Sequence, residues 1–270
     1  MILLQIDWNP SAELFKIGSF AIRYYSLMFV CAFMFGMYIM KKIFIEEKVH
    51  LDKLDTLFIY VVFATLFGAR IGHFLFYDPS FLIEKPLEVI LPVRFSPKFE
   101  FTGFAGLASH GAAIGIIIAL YFYSKRTLKK PLLFILDRIT VPVALGAAFV
   151  RVGNLMNSEI IGKPTNSDYG FIFRQLGEDF PRHPAQLYEA LSYLVIFGIL
   201  LFVYWKTEKR NKLGYMFGLF FVLLWSVRFV VEFFKEAQVD DRAEWALNTG
   251  QLLSIPLVLI GLYFMFRKSK

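Results

Sequence analysis

Stretches of about 20 residues with almost no charge recur along this 270-residue chain, and no other feature limits its fold as tightly. A helical run of that length matches the hydrocarbon thickness of a bilayer. Helices and closed barrels are also the only backbones that satisfy every N–H and C=O group in lipid. Runs at 18–40, 57–77, 107–123, 132–155, 187–205, 215–234 and 252–266 predict seven transmembrane helices. The expected class is all-α and polytopic, with 1–270 as a single integral membrane domain. Composition fits, since 57% of the residues are apolar and the 32 Phe and 13 Tyr suit lipid-facing and interfacial positions. Polar Gln5, Asp7 and Asn9 interrupt the start and the first apolar run is long enough to span, so no cleavable signal is expected.

Loop charges set the expected orientation. Lys41, Lys42, Lys48 and Lys53 follow the first run; Lys125, Arg126, Lys129 and Lys130 follow the third. Lys206, Lys209, Arg210 and Lys212 follow the fifth, and Arg267, Lys268 and Lys270 end the chain. The alternate loops are longer and poorer in base: Lys85, Arg94 and Lys98, then Lys163, Arg174 and Arg182, then Lys235 and Arg242. Short basic loops stay in the cytoplasm, so the N-terminus belongs outside and the C-terminus inside. Loops 78–102 and 156–186 then form a small head on the outer face, and stretches that long usually carry function. In so apolar a chain the formal charge of +7 reads as cytoplasmic loops facing anionic headgroups, and no nucleic-acid partner is expected.

The single cysteine, Cys31, lies in an apolar run and excludes an intrachain disulfide or a cysteine metal cluster. More telling are Arg23, Arg70, Asp137, Arg138, Arg151, Arg228 and Glu232, which fall in or at the edges of predicted spans. A mid-bilayer Arg costs about 2.5–3.5 kcal/mol on insertion scales, so such residues face protein or a wet cavity and mark function by default. Arg151, Asn154 and Asn157 recur every three residues and share a helix face. Arg228 and Glu232 stand one turn apart and could form an internal ion pair. His110 begins the third run among small neighbours that let a helix or a ligand approach, and His183 precedes the fifth. Neither histidine has the partners a metal site needs. Guanidinium groups suit a phosphate, because they are permanently charged and bind oxyanions bidentately.

The motifs resemble those of the bacterial prolipoprotein diacylglyceryl transferases. They include Arg23-Tyr-Tyr25, Gly68-Ala-Arg70-Ile-Gly72, His110-Gly111 and Asp137. They continue through Arg151-x-Gly-Asn154-x-x-Asn157-x-Glu159-x-x-Gly162, His183-Pro-x-Gln-Leu-Tyr-Glu189, Arg228-x-x-x-Glu232-Phe-Phe and Gly250-Gln-Leu-Leu-Ser-Ile-Pro256, in family order. The resemblance implies a seven-span enzyme of the bacterial inner membrane. It would move the diacylglyceryl group of phosphatidylglycerol onto the thiol of a prolipoprotein lipobox cysteine, forming a thioether and releasing glycerol 1-phosphate. Tyr25, His110, Asn154, Glu159, Gly162, Arg228 and Glu232 match important family positions, and Arg151 matches the family's best-known arginine. Four positions depart from the family pattern. Ala112 follows His110-Gly111 where a second glycine is usual, Ser158 replaces the usual glycine before Glu159, Leu224 stands where a tyrosine is common, and Lys235 replaces a frequent arginine.

On this reading the substrate supplies the nucleophilic thiol. Arg151 and Arg228 hold the phosphodiester and stabilise the leaving phosphate, and His110 is the candidate base. Tyr25, Asn154, Glu159 and Gly162 belong to the lipid-binding site, and Glu232 holds Arg228 in place. No metal or organic cofactor is required, and a monomer is expected. The rival reading is a transporter or channel for an anionic solute. Its arginines should continue to the cytoplasmic side along paired half-sequences, and no such duplication is visible.

Overall fold

The computed structural model describes residues 4–17, 20–95, 97–101, 106–236 and 247–268. Thr102, Arg242 and Lys270, used above for the loop bounds and the charge balance, lie outside the described residues, as do residues 18 and 19 at the start of the first run. In chain order the elements are β1 (Leu4–Trp8), β2 (Glu13–Ile17), β3 (Phe20–Arg23), α1 (Tyr24–Glu46), α2 (Asp52–Tyr77), α3 (Pro79–Glu84), α4 (Pro86–Ile90), β4 (Val93–Arg94) and β5 (Glu100–Phe101). There follow α5 (Ser109–Tyr123), α6 (Leu132–Met156), β6 (Tyr169–Phe173), α7 (Ala185–Lys206), α8 (Tyr215–Val231) and α9 (Thr249–Phe266). A π-helical turn, Ser124–Leu128, prolongs α5.

Five helices, α1, α2, α6, α7 and α9, are long and apolar enough to cross a bilayer. Their outward faces are apolar, with Met34 66% exposed, Val195 63% and Leu259 61%. Apolar surface on that scale is the reverse of a soluble helix bundle. The chain is therefore a helical, multi-pass membrane protein. Of the other two expected spans, α8 has 17 residues and α5 has 15, both short of a full crossing by length alone.

Most helix bounds follow the apolar text closely. The exception is the first, since 20–23 is β3, paired antiparallel with β2. The other strands also form two-stranded sheets, β1 parallel to β6 and β4 antiparallel to β5.

By proximity the described chain divides into two compact units, one of Met1–Met40 with Leu136–Lys270 and the other Lys41–Ile135. The second unit is built on a glycine seam. A Cβ on Gly68 would stand 2.6 Å from the Gly111 carbonyl oxygen, and one on Gly72 would collide with the Gly111 backbone. With Gly115, these residues place a Gly-x-x-x-Gly pair on each of α2 and α5, so the two backbones touch. The small residue after His110 thus serves a helix rather than a ligand. Arg70 also proves structural, which corrects the default functional reading. It is 6% exposed, donates to the carbonyls of Glu88 (2.9 Å) and Val89 (3.0 Å) at the end of α4, and covers the Phe74 ring.

In the first unit α8 and α9 meet at a second glycine contact, where a Cβ on Gly218 would lie 2.5 Å from the Gly261 oxygen. Asp137, fully buried near the start of α6, accepts the N–H groups of Gly214 (2.7 Å) and Phe217 (2.9 Å). It thereby caps α8, and Arg138 stands 3.9 Å away. That explains two more of the charged residues without a substrate.

Candidate active site

The C-terminal end of α6 carries Arg151 and Asn154, and Asn157 follows just beyond it, its N–H still donating to the Gly153 carbonyl (3.1 Å) in helical fashion. Arg151 Nη1 donates to Asn154 Oδ1 (3.3 Å), and the Asn154 amide nitrogen donates to Glu159 Oε2 (3.0 Å). Asn157 donates to the other Glu159 oxygen at 3.1 Å. Glu159 lies beyond the helix but folds back, because Ser158 and Ile160 on either side take left-handed conformations, with φ of 52° and 56°. The Glu159 N–H then donates to the Asn154 carbonyl (2.9 Å), and the Glu159 carbonyl accepts from the Gln186 amide (2.5 Å). Left-handed backbone explains the family's glycine where Ser158 stands, since a Cβ there costs about 1–2 kcal/mol. Ser158 recovers part of that through its hydroxyl, which donates to Gln175 Oε1 (3.1 Å).

Tyr25, in the first turn of α1, packs on Gly153 and reaches Asn154 with its hydroxyl. From α7, Glu189 is fully buried and meets Arg151 Nε at 2.7 Å. Tyr193, one turn later, donates to the Glu189 carboxylate (3.4 Å) and also bonds Arg151. The other Glu189 oxygen takes the ammonium of Lys235 at 2.9 Å, and Lys235 also lies 3.1 Å from Glu232 Oε2. The expected Arg228–Glu232 pair is thus corrected. Helix α8 stops at Val231, and the turn that follows brings the Glu232 carboxylate to Lys235. Among the described residues no ion pair involves Arg228. Its guanidinium covers the Trp225 ring, 5.4 Å from the centroid.

Gly162 seats this turn. Its N–H donates to the His183 carbonyl (3.0 Å) and its backbone bridges Lys235, while the Lys163 N–H donates to the Phe234 carbonyl (2.8 Å). A Cβ at Gly162 would fall 2.8 Å from the Phe234 oxygen and closer still to His183. Gly162 therefore shapes backbone rather than offering a ligand group. Behind it, the His183 ring lies among Tyr169, Tyr188 and Phe234, with Nδ1 3.1 Å from the Tyr188 hydroxyl. Burial holds the His183 pKa below the ordinary histidine value, so the ring is neutral at pH 7. Arg182 is clamped by Glu178 (2.6 Å) and Glu236 (2.7 Å); the hydrogen bonds it donates to Glu178 hold its pKa above the ordinary arginine value.

Five helix termini therefore share one polar centre: the starts of α1, α7 and α9 and the ends of α6 and α8. Asn248 ties α9 to it by donating to the Glu232 carbonyl (3.3 Å). Three helix starts bring positive dipole ends and two helix ends bring negative ones, so the dipoles largely offset each other and the side-chain cations set the preference for an anion. Several buried polar atoms here lack hydrogen-bond partners among the described residues: the donors Trp225 Nε1, Arg228 Nε and Gln251 Nε2, and the acceptors Asn157 Oδ1, Gln186 Oε1, Glu189 Oε2 and Glu232 Oε2, the last two held in ion pairs. The arrangement can hold an oxyanion on guanidinium and amide groups.

Tyr25, Arg151, Asn154 and Glu159 thus form one hydrogen-bonded network, with Gly162 and Glu232 joined to it through Lys235. His110 belongs to the other unit, exposed in the first turn of α5. Sequence spacing does not disclose Glu189, Tyr193, Gln186 or the two-carboxylate role of Lys235. The available signal was a lone carboxylate, Glu189, beside an apolar run, where it has to find a cation.

Residues 12–267 match the family model for prolipoprotein diacylglyceryl transferase. A phosphatidylglycerol–prolipoprotein diacylglyceryl transferase of Bacteroides fragilis is 45% identical, with all of this chain and 97% of the relative covered. Enzymes of the same name from Chloroherpeton thalassium and Tolumonas auensis are 42% and 36% identical, covering 98% and 97% of this chain and 95% and 97% of their own lengths. These matches lend nothing to the solute-transport reading. The chain belongs to the prolipoprotein diacylglyceryl transferase family.

Proposed function

We propose that this protein transfers the sn-1,2-diacylglyceryl group of phosphatidylglycerol to the thiol of a prolipoprotein lipobox cysteine. The thiolate sulfur attacks the glyceryl carbon that bears the phosphate. A C–S bond forms, the C–O bond breaks, and the electron pair leaves on the phosphate oxygen as glycerol 1-phosphate. Arg151 and Arg228 bind the phosphodiester and stabilise the charge that grows on its leaving oxygen. Asn154 and Tyr25 orient the headgroup, and Glu159 holds Asn154 to that task. His110 accepts the thiol proton, a role open to an exposed imidazole. The same reading places seven spans in a bacterial inner membrane, the head outside and the C-terminus in the cytoplasm, with the protein acting as a monomer.

The observation that carries this reading is the buried Arg151 network, built from the residues that match the family along its whole length. Purified protein, phosphatidylglycerol and a lipobox peptide should yield a thioether-linked peptide and glycerol 1-phosphate in equal amounts. Absence of both products would refute the assignment. His110→Gln, assayed in parallel, should lower turnover by about a hundred- to ten-thousandfold while leaving the protein folded. Near-normal turnover would remove His110 as the base.

A further inference from the structure

Lys235 is an unusual residue to find where it is. Its side chain is only 4% exposed, and its ammonium lies between two carboxylates, 2.9 Å from Glu189 and 3.1 Å from Glu232. Glu189 is fully buried and Glu232 nearly so, at 14% of its side chain. Carboxylates in such surroundings must have cations, because an unpaired buried charge is strongly destabilising. Without Lys235 the candidates are the arginines. Arg151 already gives its Nε to one Glu189 oxygen, and Arg228 stands one helical turn before Glu232.

We propose that Lys235 is a positioning residue that occupies the two carboxylates and so leaves guanidinium groups free for the lipid phosphate. The pairing supports this. Lys235 meets both carboxylates, Arg151 meets Glu189 alone, and Arg228 enters no ion pair among the described residues. Remove the ammonium, and Glu232 is left without a cation and Glu189 with Arg151 only. Both carboxylates then compete for the guanidinium groups, and a phosphodiester such as phosphatidylglycerol, itself negatively charged, binds them less well. The proposal rests on the function given above and names the residue that sets the affinity for its lipid.

The test uses the full-length, detergent-purified protein with Lys235→Gln and Lys235→Arg. Glutamine keeps donors for both carboxylates and removes only the charge, whereas arginine keeps the charge. Lys235→Gln should raise KM for phosphatidylglycerol by about tenfold or more, while KM for the lipobox peptide stays within about twofold. Lys235→Arg should remain within about threefold of the parent on both substrates. The proposal is overturned if the glutamine variant matches the parent on phosphatidylglycerol. Equal losses on lipid and peptide with a lowered melting temperature would also overturn it, as would an arginine variant no better than glutamine. Equilibrium binding of phosphatidylglycerol reads the Lys235 claim even if the parent forms no thioether. In that outcome the proposed reaction fails and the charge proposal still stands or falls on binding.

Discussion

The two ends of α6 both bury charge, and they dispose of it in opposite ways. At the start of the helix, Asp137 is fully buried and spends its carboxylate on two backbone N–H groups of α8, with Arg138 alongside. At the far end, Arg151 joins a chain of side chains from α1, α7 and the turn after α8, and donors on Trp225, Arg228 and Gln251 stay unpaired. One end is a closed joint and the other is an open set of polar groups, acceptors such as Gln186 Oε1 as well as donors. A charge buried in a membrane protein therefore marks function only when its partners leave capacity over. Arg70 makes the same point in the second unit, since its guanidinium is used on carbonyls of α4.

The contrast breaks first if conservative changes at the open end are harmless. Arg151→Lys and Arg228→Lys should each cost about a hundred- to a thousandfold in initial rate, because a planar fork is replaced by a flexible point charge. Rates within a few-fold of the parent for both would make these arginines structural, like Arg70. At the closed end, Asp137→Ala strands two buried N–H groups and should cost about 1–3 kcal/mol of stability, read as a lower unfolding midpoint. Activity per folded molecule should stay within about threefold, since distant sites act independently. The smallest effect belongs to Ser158→Gly. It relieves a left-handed backbone worth about 1 kcal/mol and loses a hydrogen bond of similar size, so stability and rate should barely move.

Sequence text disclosed the helices because a bilayer crossing demands a long apolar run, even though α5 and α8 are shorter than a full crossing. It misplaced the start of α1, since Phe20-Ala-Ile22 is as apolar as the helix it leads into, and only pairing with β2 makes it a strand. Arg151, Asn154 and Asn157 were legible because their contacts follow helix period. The return of Glu159 was not, for it depends on two positive-φ residues that no apolar pattern announces. Nor was the Glu189–Lys235 pair, which joins α7 to the turn after α8 across 46 residues. The Arg228–Glu232 pair failed for a local reason. Period arguments assume the helix continues, and α8 stops one residue before Glu232.

The most direct measurement is phosphatidylglycerol binding to folded Asp137→Asn and Arg151→Lys proteins, side by side in one detergent. Both substitutions change a buried charged group on the same helix, so general damage to α6 would weaken binding in both. The open-end account predicts affinity within about twofold of the parent for Asp137→Asn and at least about tenfold weaker for Arg151→Lys. Equal affinities in the two variants, or weaker binding in Asp137→Asn, would contradict it.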